Sequence, residues 1–151
     1  MTEGEEGTRG LYESLLGAWN RRDAAGMARL YAASGTQVGF DGSHMSGAGE
    51  IEAHLAPIFA NHPTGAFVSI VRDVRALAPD VMLLRADAGM IPAGKTDINP
   101  AVNAVQTLVA VNAGGTWRVA LFQNTPAAFH GRPEAAAALT EELQRAARAR
   151  A

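Results

Sequence analysis

The chain has 151 residues, of which 48% are hydrophobic and 19% are charged, and its formal net charge is −2. This composition predicts one globular domain with a core of its own and excludes a disordered chain. It also excludes the dense basic patch of a nucleic-acid-binding protein, and the absence of cysteine excludes a disulfide framework, a thiol nucleophile and a thiolate metal site.

The first part of the chain is predicted to be helical. Residues 1–7 are acidic and polar, so we expect a disordered tail that is not a signal peptide, and hence a cytoplasmic protein. Apolar residues at four-residue spacing predict a helix over residues 8–22. Asp23 is suited to cap a second short helix. No window approaches the run of about 18 apolar residues that a membrane span needs.

Turn residues and short apolar runs come next. Residues 34–47 are rich in glycine and serine and predict two short strands around an Asp-Gly turn. Residues 49–61 predict a third helix, in which Pro57 should kink or locally break the hydrogen-bond ladder.

After Pro63 the apolar period changes from the helical spacing to two, which predicts strands. Residues 67–78 and 81–91 flank the turn Ala-Pro-Asp-Val and predict one long hairpin. Residues 101–112 and 116–125 flank Asn-Ala-Gly-Gly and predict a second hairpin.

From residue 133 the chain is rich in alanine and arginine, which predicts a last helix. The order of elements predicts an α+β fold in which helices lie against one curved sheet. We expect a single domain over residues 8–127 and a helical extension over residues 128–151.

Four runs of sequence resemble one known family. They occur in the family's order and are 18-AWNRRDAAGMARLYAASGTQV-38, 46-SGAGEIEAHLAPIF-59, 74-VRALAPDVMLLRA-86 and 112-NAGGTWRVALFQNT-125. They resemble the nuclear transport factor two-like superfamily and, within it, the SgcJ/EcaC group and the neighbouring SnoaL-like polyketide cyclases. The resemblance covers roughly residues 8–127.

The resemblance implies a cone-shaped α+β barrel. A strongly bent mixed or antiparallel sheet would wrap around three N-terminal helices, open at one end, with a C-terminal helix added. It also implies a homodimer formed through the sheet face and a place in secondary metabolism, since SgcJ-type proteins belong to enediyne antibiotic pathways. No Gly-rich nucleotide loop occurs, so no cofactor is expected.

Ketosteroid isomerase has the same fold, and its chemistry needs a carboxylate base and two acidic donors. The resemblance places the base at Gly39, the tyrosine donor at Leu15 and the protonated aspartate at Thr107. These residues lack or weaken the required groups. Steroid-isomerase chemistry is therefore not expected, whereas an Asp/His pair of the cyclase type could be assembled elsewhere.

The same correspondence predicts which strand residues face the cavity. It places Asn103 and Thr107 inward on one strand and Asn124 inward on the next, with Gln123 outward. The opposite parity stays open. So does a simpler interpretation, in which the amides only end the strand before Pro126.

Charged residues on the hairpin over residues 67–91 have two interpretations. The correspondence places Arg85 and Asp87 inward, with Arg72 opposite Asp87 on the neighbouring strand. Charged groups on an enclosed face are costly unless they are paired. They would form either an anion-orienting cluster in the cavity or an exposed cross-strand ion pair on the convex face.

Two histidines are candidates for the site. His54 lies on the inner stripe of the third helix, and His44 follows the 41-DGS-43 turn, close to the expected rim of the cavity. His54 is either a buried imidazole hydrogen-bonded to a backbone group or a proton donor and acceptor beside a ligand. No two histidines have metal-ligand spacing, so no metal site is predicted.

Five aromatic side chains come from separate elements and are predicted to face inward, either as plain core or as the walls of a site for a flat polycyclic ligand. Together with the polar candidates they give the predicted ligand-binding set: Trp19, Tyr31, Phe40, His44, His54, Phe59, Arg85, Asp87, Asn103, Thr107, Phe122 and Asn124. The weak candidates for catalysis are His54, Arg85 and Asn124.

The sequence supports three hypotheses of function. The first is a pocket protein of enediyne or polyketide biosynthesis that binds a conjugated, apolar intermediate and catalyses a cofactor-free cyclisation or isomerisation. The second is a carrier that shields a reactive polyene intermediate without converting it. The third is a structural dimer whose cavity is filled by its own side chains. None of the three requires nucleic acid, a membrane or a cofactor.

Overall fold

A computed structural model describes residues 1–150. The helices are α1 Glu3–Asn20, α2 Ala24–Ala28, α3 Ala48–Asn61 and α4 Pro133–Arg150. The strands are β1 Tyr31–Val38, β2 His44–Ser46, β3 Ala66–Ala78, β4 Val81–Ile91, β5 Ala104–Ala113 and β6 Thr116–Pro126, and a 3-10 turn covers Pro100–Val102. None of the helices within residues 1–150 is long and apolar enough to cross a membrane.

Helix α1 begins within the segment that was predicted as a disordered tail. Thr2 caps it, because its hydroxyl accepts a hydrogen bond from the backbone N–H of Glu5 at 3.1 Å. Acidic side chains occupy the first turn, where the helix dipole favours negative charge. The Trp117 indole N–H donates to Glu3 at 3.0 Å and joins this turn to β6. These contacts start the helix at Glu3 rather than at Thr8.

The six strands form one sheet in the order β2-β1-β6-β5-β4-β3. All neighbours are antiparallel except β1 and β6, which are parallel. Register shifts between β1 and β6, β3 and β4, and β5 and β6 allow the sheet to bend. The sheet is open, with β2 and β3 as its edges. The predicted α+β class with a bent, mixed sheet is confirmed.

The core lies between the N-terminal helices and one face of the sheet. Its centre is formed by side chains that are at most 1% exposed, among them Tyr12, Leu15, Leu84, Leu108 and Val119. Burying a large apolar side chain of this kind stabilises the fold by roughly 1.5–3 kcal/mol. We call this face of the sheet the inner face and the opposite one the outer face.

Even-numbered residues of β4 and β5 lie on the inner face. On β5, Gln106 and Leu108 are both 0% exposed. The prediction that Arg85, Asp87 and Thr107 point inward is therefore wrong, because they alternate with buried neighbours and lie on the outer face. Both faces of β5 carry apolar residues, so alternation alone did not distinguish the inner face.

A bulge in β6 changes its parity. Val109 pairs with Leu121 and Ala110 pairs with Val119, so Ala120 has no partner across the ladder. One extra residue in a strand moves the following side chains to the other face. As a result Val119 and Phe122 are both buried, although three positions separate them.

Helix α4 packs on the outer face, against β3 and β4. Arg72 holds it in place with two hydrogen bonds to the Glu142 carboxylate, both 2.7 Å, and a third of 2.8 Å to Asp87. Asn103 donates to the Thr140 hydroxyl at 2.8 Å. Asn103, which was predicted to bind a ligand, therefore bonds to α4. Asp87, also predicted to bind a ligand, bonds instead to the arginine that holds the helix.

Candidate functional site

A cavity of about 290 Å³ lies between the inner face of the sheet and the N-terminal helices. We call it the cone cavity. Its wall is mainly apolar, and the chain contributes to it from every strand and from α1, α2 and α3. The apolar members include Trp19, Met27, Phe40, Met45, Leu55, Ile58, Phe67, Met90 and Phe122, and the polar side chains are Gln37, Asp41, His54 and Asn124.

Trp19 is fixed at the wall by its neighbours. Its indole N–H donates to the Gly65 carbonyl at 3.0 Å, so the polar end of the ring is already satisfied. Phe59 meets the indole edge-on with centroids 5.1 Å apart, and Phe67 lies at 5.3 Å in a tilted arrangement. Trp19 therefore offers the cavity an apolar ring surface in a fixed orientation.

A chain of hydrogen bonds crosses the interior and ends at Asn124. The Tyr12 hydroxyl donates to Gln106 Oε1 at 2.5 Å, and Gln106 Nε2 donates to Asn124 Oδ1 at 2.8 Å. Gln106 is 0% exposed, so these partners satisfy an amide that has no access to water. None of the hydrogen bonds among residues 1–150 uses Asn124 Nδ2, and Asn124 lines the cavity.

Gln37 repeats this arrangement on β1. The Tyr31 hydroxyl donates to Gln37 Oε1 at 2.7 Å, and both residues are 5% exposed. In the described part of the chain, Gln37 Nε2 takes part in no hydrogen bond, and Gln37 lines the cavity. The side-chain oxygens of Gln37 and Asn124 thus accept hydrogen bonds from the protein interior, whereas their side-chain N–H groups have no partner in the described chain.

Burial raises the pKa of the Tyr12 and Tyr31 phenols well above their usual range. Both hydroxyls therefore stay protonated over the whole range of pH in which a protein functions. A protonated phenol can donate to an amide oxygen, so both hydroxyls keep their role as donors to Gln106 and Gln37.

Asp41 and His54 are the ionisable side chains of the cavity wall. The backbone N–H of Ser43 donates to Asp41 Oδ1 at 2.9 Å, and hydrogen bonds from Ser43 lower the pKa of this carboxyl. Asp41 is therefore a carboxylate at neutral pH and a weak base. His54 is exposed on α3 rather than buried, so the interpretation as a buried core imidazole is wrong.

The structure brings five members of the predicted set together in the wall: Trp19, Phe40, His54, Phe122 and Asn124. Asn124, and not Gln123, faces the cavity. Tyr31 and Phe59 lie one layer behind, where Tyr31 orients Gln37 and Phe59 supports Trp19.

The other members of the set lie elsewhere. His44 is exposed on β2, because its neighbour Met45 takes the inward position and is 3% exposed. Arg85 lies on the outer face, 3.7 Å from the Asp73 carboxylate, and is half exposed. Thr107 is its neighbour across the ladder on that face. Asn103 bonds to Thr140 of α4, and Asp87 bonds to Arg72 on the neighbouring strand.

The prediction missed Gln37, Gln106 and Tyr12, which carry the polar interior. A signal for the two glutamines was present, because each is an uncharged polar residue within a strand that is otherwise largely apolar. Buried amides need partners, and tyrosine hydroxyls on the neighbouring apolar stripes were candidates to supply them.

Among residues 1–150, no three His, Asp or Glu side chains come together in the way that a metal site needs. The polar groups that the cone cavity offers are two amides, one carboxylate and one imidazole. This set suits hydrogen bonding to an oxygen and the transfer of a proton.

Solved structures of other proteins share this architecture. A domain of unknown function with a cystatin-like fold from Nostoc punctiforme superposes with a TM-score of 0.80 at 23% identity, covering 96% of this chain and 92% of that one. An NTF2-like protein of unknown function from Pseudomonas putida superposes with a TM-score of 0.66 at 20% identity, covering 83% and 87%. A ketosteroid isomerase-like protein from Erwinia carotovora atroseptica gives a TM-score of 0.66 at 15% identity, covering 85% and 99%.

No protein-family model matches the chain. No curated protein matches it either. The similarity to solved structures shows the fold of NTF2-like proteins, as the sequence predicted.

Proposed function

We propose that this chain, which has the fold of NTF2-like proteins, binds a small and largely apolar molecule in the cone cavity. One observation carries the proposal: in a mainly apolar wall, Asn124 and Gln37 present N–H groups that have no partner in the described chain. A free amide donor in an apolar cavity is costly unless a ligand or water accepts from it. A carbonyl or hydroxyl oxygen of a ligand suits these donors.

The size of the cavity limits the ligand. About 290 Å³ is at the lower end of small-molecule pockets, which span roughly 300–1,000 Å³. The ligand is therefore compact, or it is one end of a longer molecule. A conjugated polyketide or enediyne intermediate, which the sequence resemblance implies, would place a carbonyl end among the amides and its apolar part against Trp19 and Phe122.

The proposed reaction is a cofactor-free cyclisation or isomerisation. Amide donors that hold a ligand carbonyl also stabilise the enolate that forms when a proton leaves the adjacent carbon. His54 or Asp41 takes that proton and returns it to another atom of the same ligand. The proton is conserved and no electron acceptor is needed.

A second candidate function is a carrier that shields a reactive intermediate. Its support is the weak basicity of Asp41, whose pKa is lowered by the hydrogen bonds from Ser43. In addition, Leu15 and Gly39 supply no acid or base where ketosteroid isomerase is implied to have them. The carrier would bind the same class of ligand through the same amides without converting it.

Binding is tested first by replacing the donor. Asn124→Leu keeps a similar volume but removes the amide, so we expect at least about tenfold weaker binding, the value of roughly one hydrogen bond in a dry site. Gln123→Leu is the matched control, because it lies on the same strand but outside the cavity. Native mass spectrometry after incubation with extract from cells making a conjugated polyketide measures the bound mass.

The result that contradicts the binding proposal is an unliganded mass across extracts, or equal binding by wild type and Asn124→Leu. Catalysis is tested separately with the ligand so identified. An enzyme releases a product of changed structure and loses turnover in His54→Ala or Asp41→Asn, but not in His44→Ala, which lies outside the cavity. Binding of the ligand without conversion by wild type supports the carrier.

We also propose that the chain forms a homodimer through the outer face of β4, β5 and β6. Helix α4 covers the β3 side of this face, and half-buried apolar residues remain on the other side, among them Leu83, Val109 and Leu121. Val105 there is 38% exposed. Val105→Asp should shift sedimentation from dimer to monomer, whereas Leu77→Asp, on an exposed side chain of β3, should not.

A further inference from the structure

A second cavity, of about 620 Å³, lies between α1, β3 and the C-terminal end of α4. We call it the arginine groove, because Arg9 of α1 and Arg150 of α4 both line it. It shares only Phe67 with the cone cavity. The groove needs the C-terminal helix for one of its walls.

The two arginines give the groove an unsatisfied positive charge. Arg9 Nε is buried and has no hydrogen-bond partner. Arg150 donates to the Ser69 carbonyl at 2.6 Å, which satisfies one of its N–H groups. Within residues 1–150, no carboxylate lies within ion-pair distance of either guanidinium, and Glu13 is the one acidic side chain in the wall.

The rest of the wall has a polar and an apolar part. Tyr12, Asn20 and Ser69 are its polar members, and its apolar members are Leu16 of α1, Phe67, Ile70 and Val71 of β3, and Ala146 of α4. A buried guanidinium N–H without an acceptor is costly, and an anion in the groove would supply the acceptor. With two arginines and one glutamate, the excess is a single positive charge, which suits a monovalent anion better than a divalent one.

We infer that the arginine groove is a binding site for a small carboxylate that carries an apolar chain. The carboxylate accepts hydrogen bonds from Arg9 and Arg150, because the planar guanidinium matches two carboxylate oxygens. The apolar chain lies against Phe67 and Ile70. The site is independent of the proposed function of the cone cavity, whose wall contains no arginine or lysine.

Calorimetric titration at low salt tests the site with three probes: hexanoate, hexanol and inorganic phosphate. We expect hexanoate to bind, hexanol and phosphate to bind at least about tenfold more weakly, and added salt to weaken hexanoate. Arg9→Gln and Arg150→Gln should each reduce hexanoate affinity about tenfold or more. Arg148→Gln is the matched control, because Arg148 lies on the same helix but lines a different surface.

Two further variants locate the site and keep the test decisive if an arginine variant does not fold. Gly17→Leu adds a side chain on the groove wall, where a Cβ would meet only the end of the flexible Arg21 side chain, and it should abolish hexanoate binding. Ile58→Glu, which adds a charge to the wall of the cone cavity, should leave hexanoate binding unchanged.

Several outcomes overturn the inference. They are the absence of hexanoate binding, equal binding by wild type and both arginine variants, and equal binding of hexanol. Phosphate that binds as tightly as hexanoate overturns the role of the apolar wall. Loss of hexanoate binding in Ile58→Glu, with none in Gly17→Leu, places the carboxylate in the cone cavity instead.

Discussion

Replacing Tyr12 by phenylalanine removes one hydroxyl and leaves Gln106 Oε1 without its donor. Gln106 is 0% exposed, so water cannot take the place of the phenol without a local rearrangement. An unsatisfied buried acceptor costs about 1–3 kcal/mol of unfolding free energy. Gln106→Leu should cost a similar amount, because it leaves the Tyr12 hydroxyl and Asn124 Oδ1 without their partner.

The double variant should cost less than the sum of the two single variants. Each single variant leaves the other residue's polar group without its hydrogen-bond partner, whereas the double variant removes both groups. We therefore expect a coupling energy of about 1–2 kcal/mol. Urea unfolding followed by tryptophan fluorescence measures all three variants, provided that the slope m is unchanged. In thermal unfolding each kcal/mol corresponds to roughly 2–4 °C for a chain of this size.

A control cycle pairs Gln106→Leu with Tyr31→Phe. Tyr31 donates to Gln37 and shares no hydrogen-bond partner with Gln106, so these two substitutions should be additive. Additivity in the Tyr12 cycle as well would refute the coupling, since it would mean that the phenol and the amide do not depend on each other.

Two further predictions concern the helices. Gly10→Ala should raise the free energy of unfolding by about 1 kcal/mol, because a Cβ at this position meets nothing within 4 Å. Gly7→Ala should lower the free energy of unfolding, because its Cβ would overlap the Trp117 ring. Thermal unfolding compares the two variants, and a Gly7→Ala variant that is more stable than wild type contradicts the packing of Gly7 against Trp117. Hydrogen bonds from Arg72 lower the pKa of Glu142, so the stabilisation of α4 is present above the ordinary carboxyl pKa and is lost as pH falls through the lowered one. Hydrogen exchange of the backbone amides in α4 should become faster over that acid range, and Glu142→Gln should remove this pH dependence. The same pH dependence in Glu142→Gln as in wild type contradicts the role of Glu142.

The order of helices and strands could be predicted because the apolar period changes clearly along the chain. The cap of α2 was also predicted, and Asp23 does accept from the Gly26 N–H at 2.9 Å. The cross-strand ion pair of Arg72 and Asp87 was one of two open interpretations, and it forms on the outer face with a distance of 2.8 Å. The predicted register was wrong, because Ile70 lies opposite Asp87 and Arg72 lies at a register shift. Local sequence contains these features because each depends on residues close in the chain or in one hairpin.

The site was harder to predict because it depends on parity and on long-range pairs. A single bulge at Ala120 decides which side chains in the second half of β6 lie on the inner face, and no residue type in the sequence indicates that bulge. Tyr12 and Gln106 are 94 residues apart, so neither position indicates the other. The placement of α4 on the outer face was also hidden, because its apolar contacts rest on two buried leucines, Leu139 and Leu143, in an alanine-rich helix.

The parallel pairing of β1 with β6 has a consequence for the order in which the molecule is made. β1 leaves the ribosome early, but apart from the three-residue β2 its strand partner is β6, near the end of the chain. Pairing across so long a loop is slow. Until β6 has been synthesised, β1 has no strand partner except β2, so both the core and the cone cavity are incomplete. The cone cavity thus forms only after β6 has been synthesised.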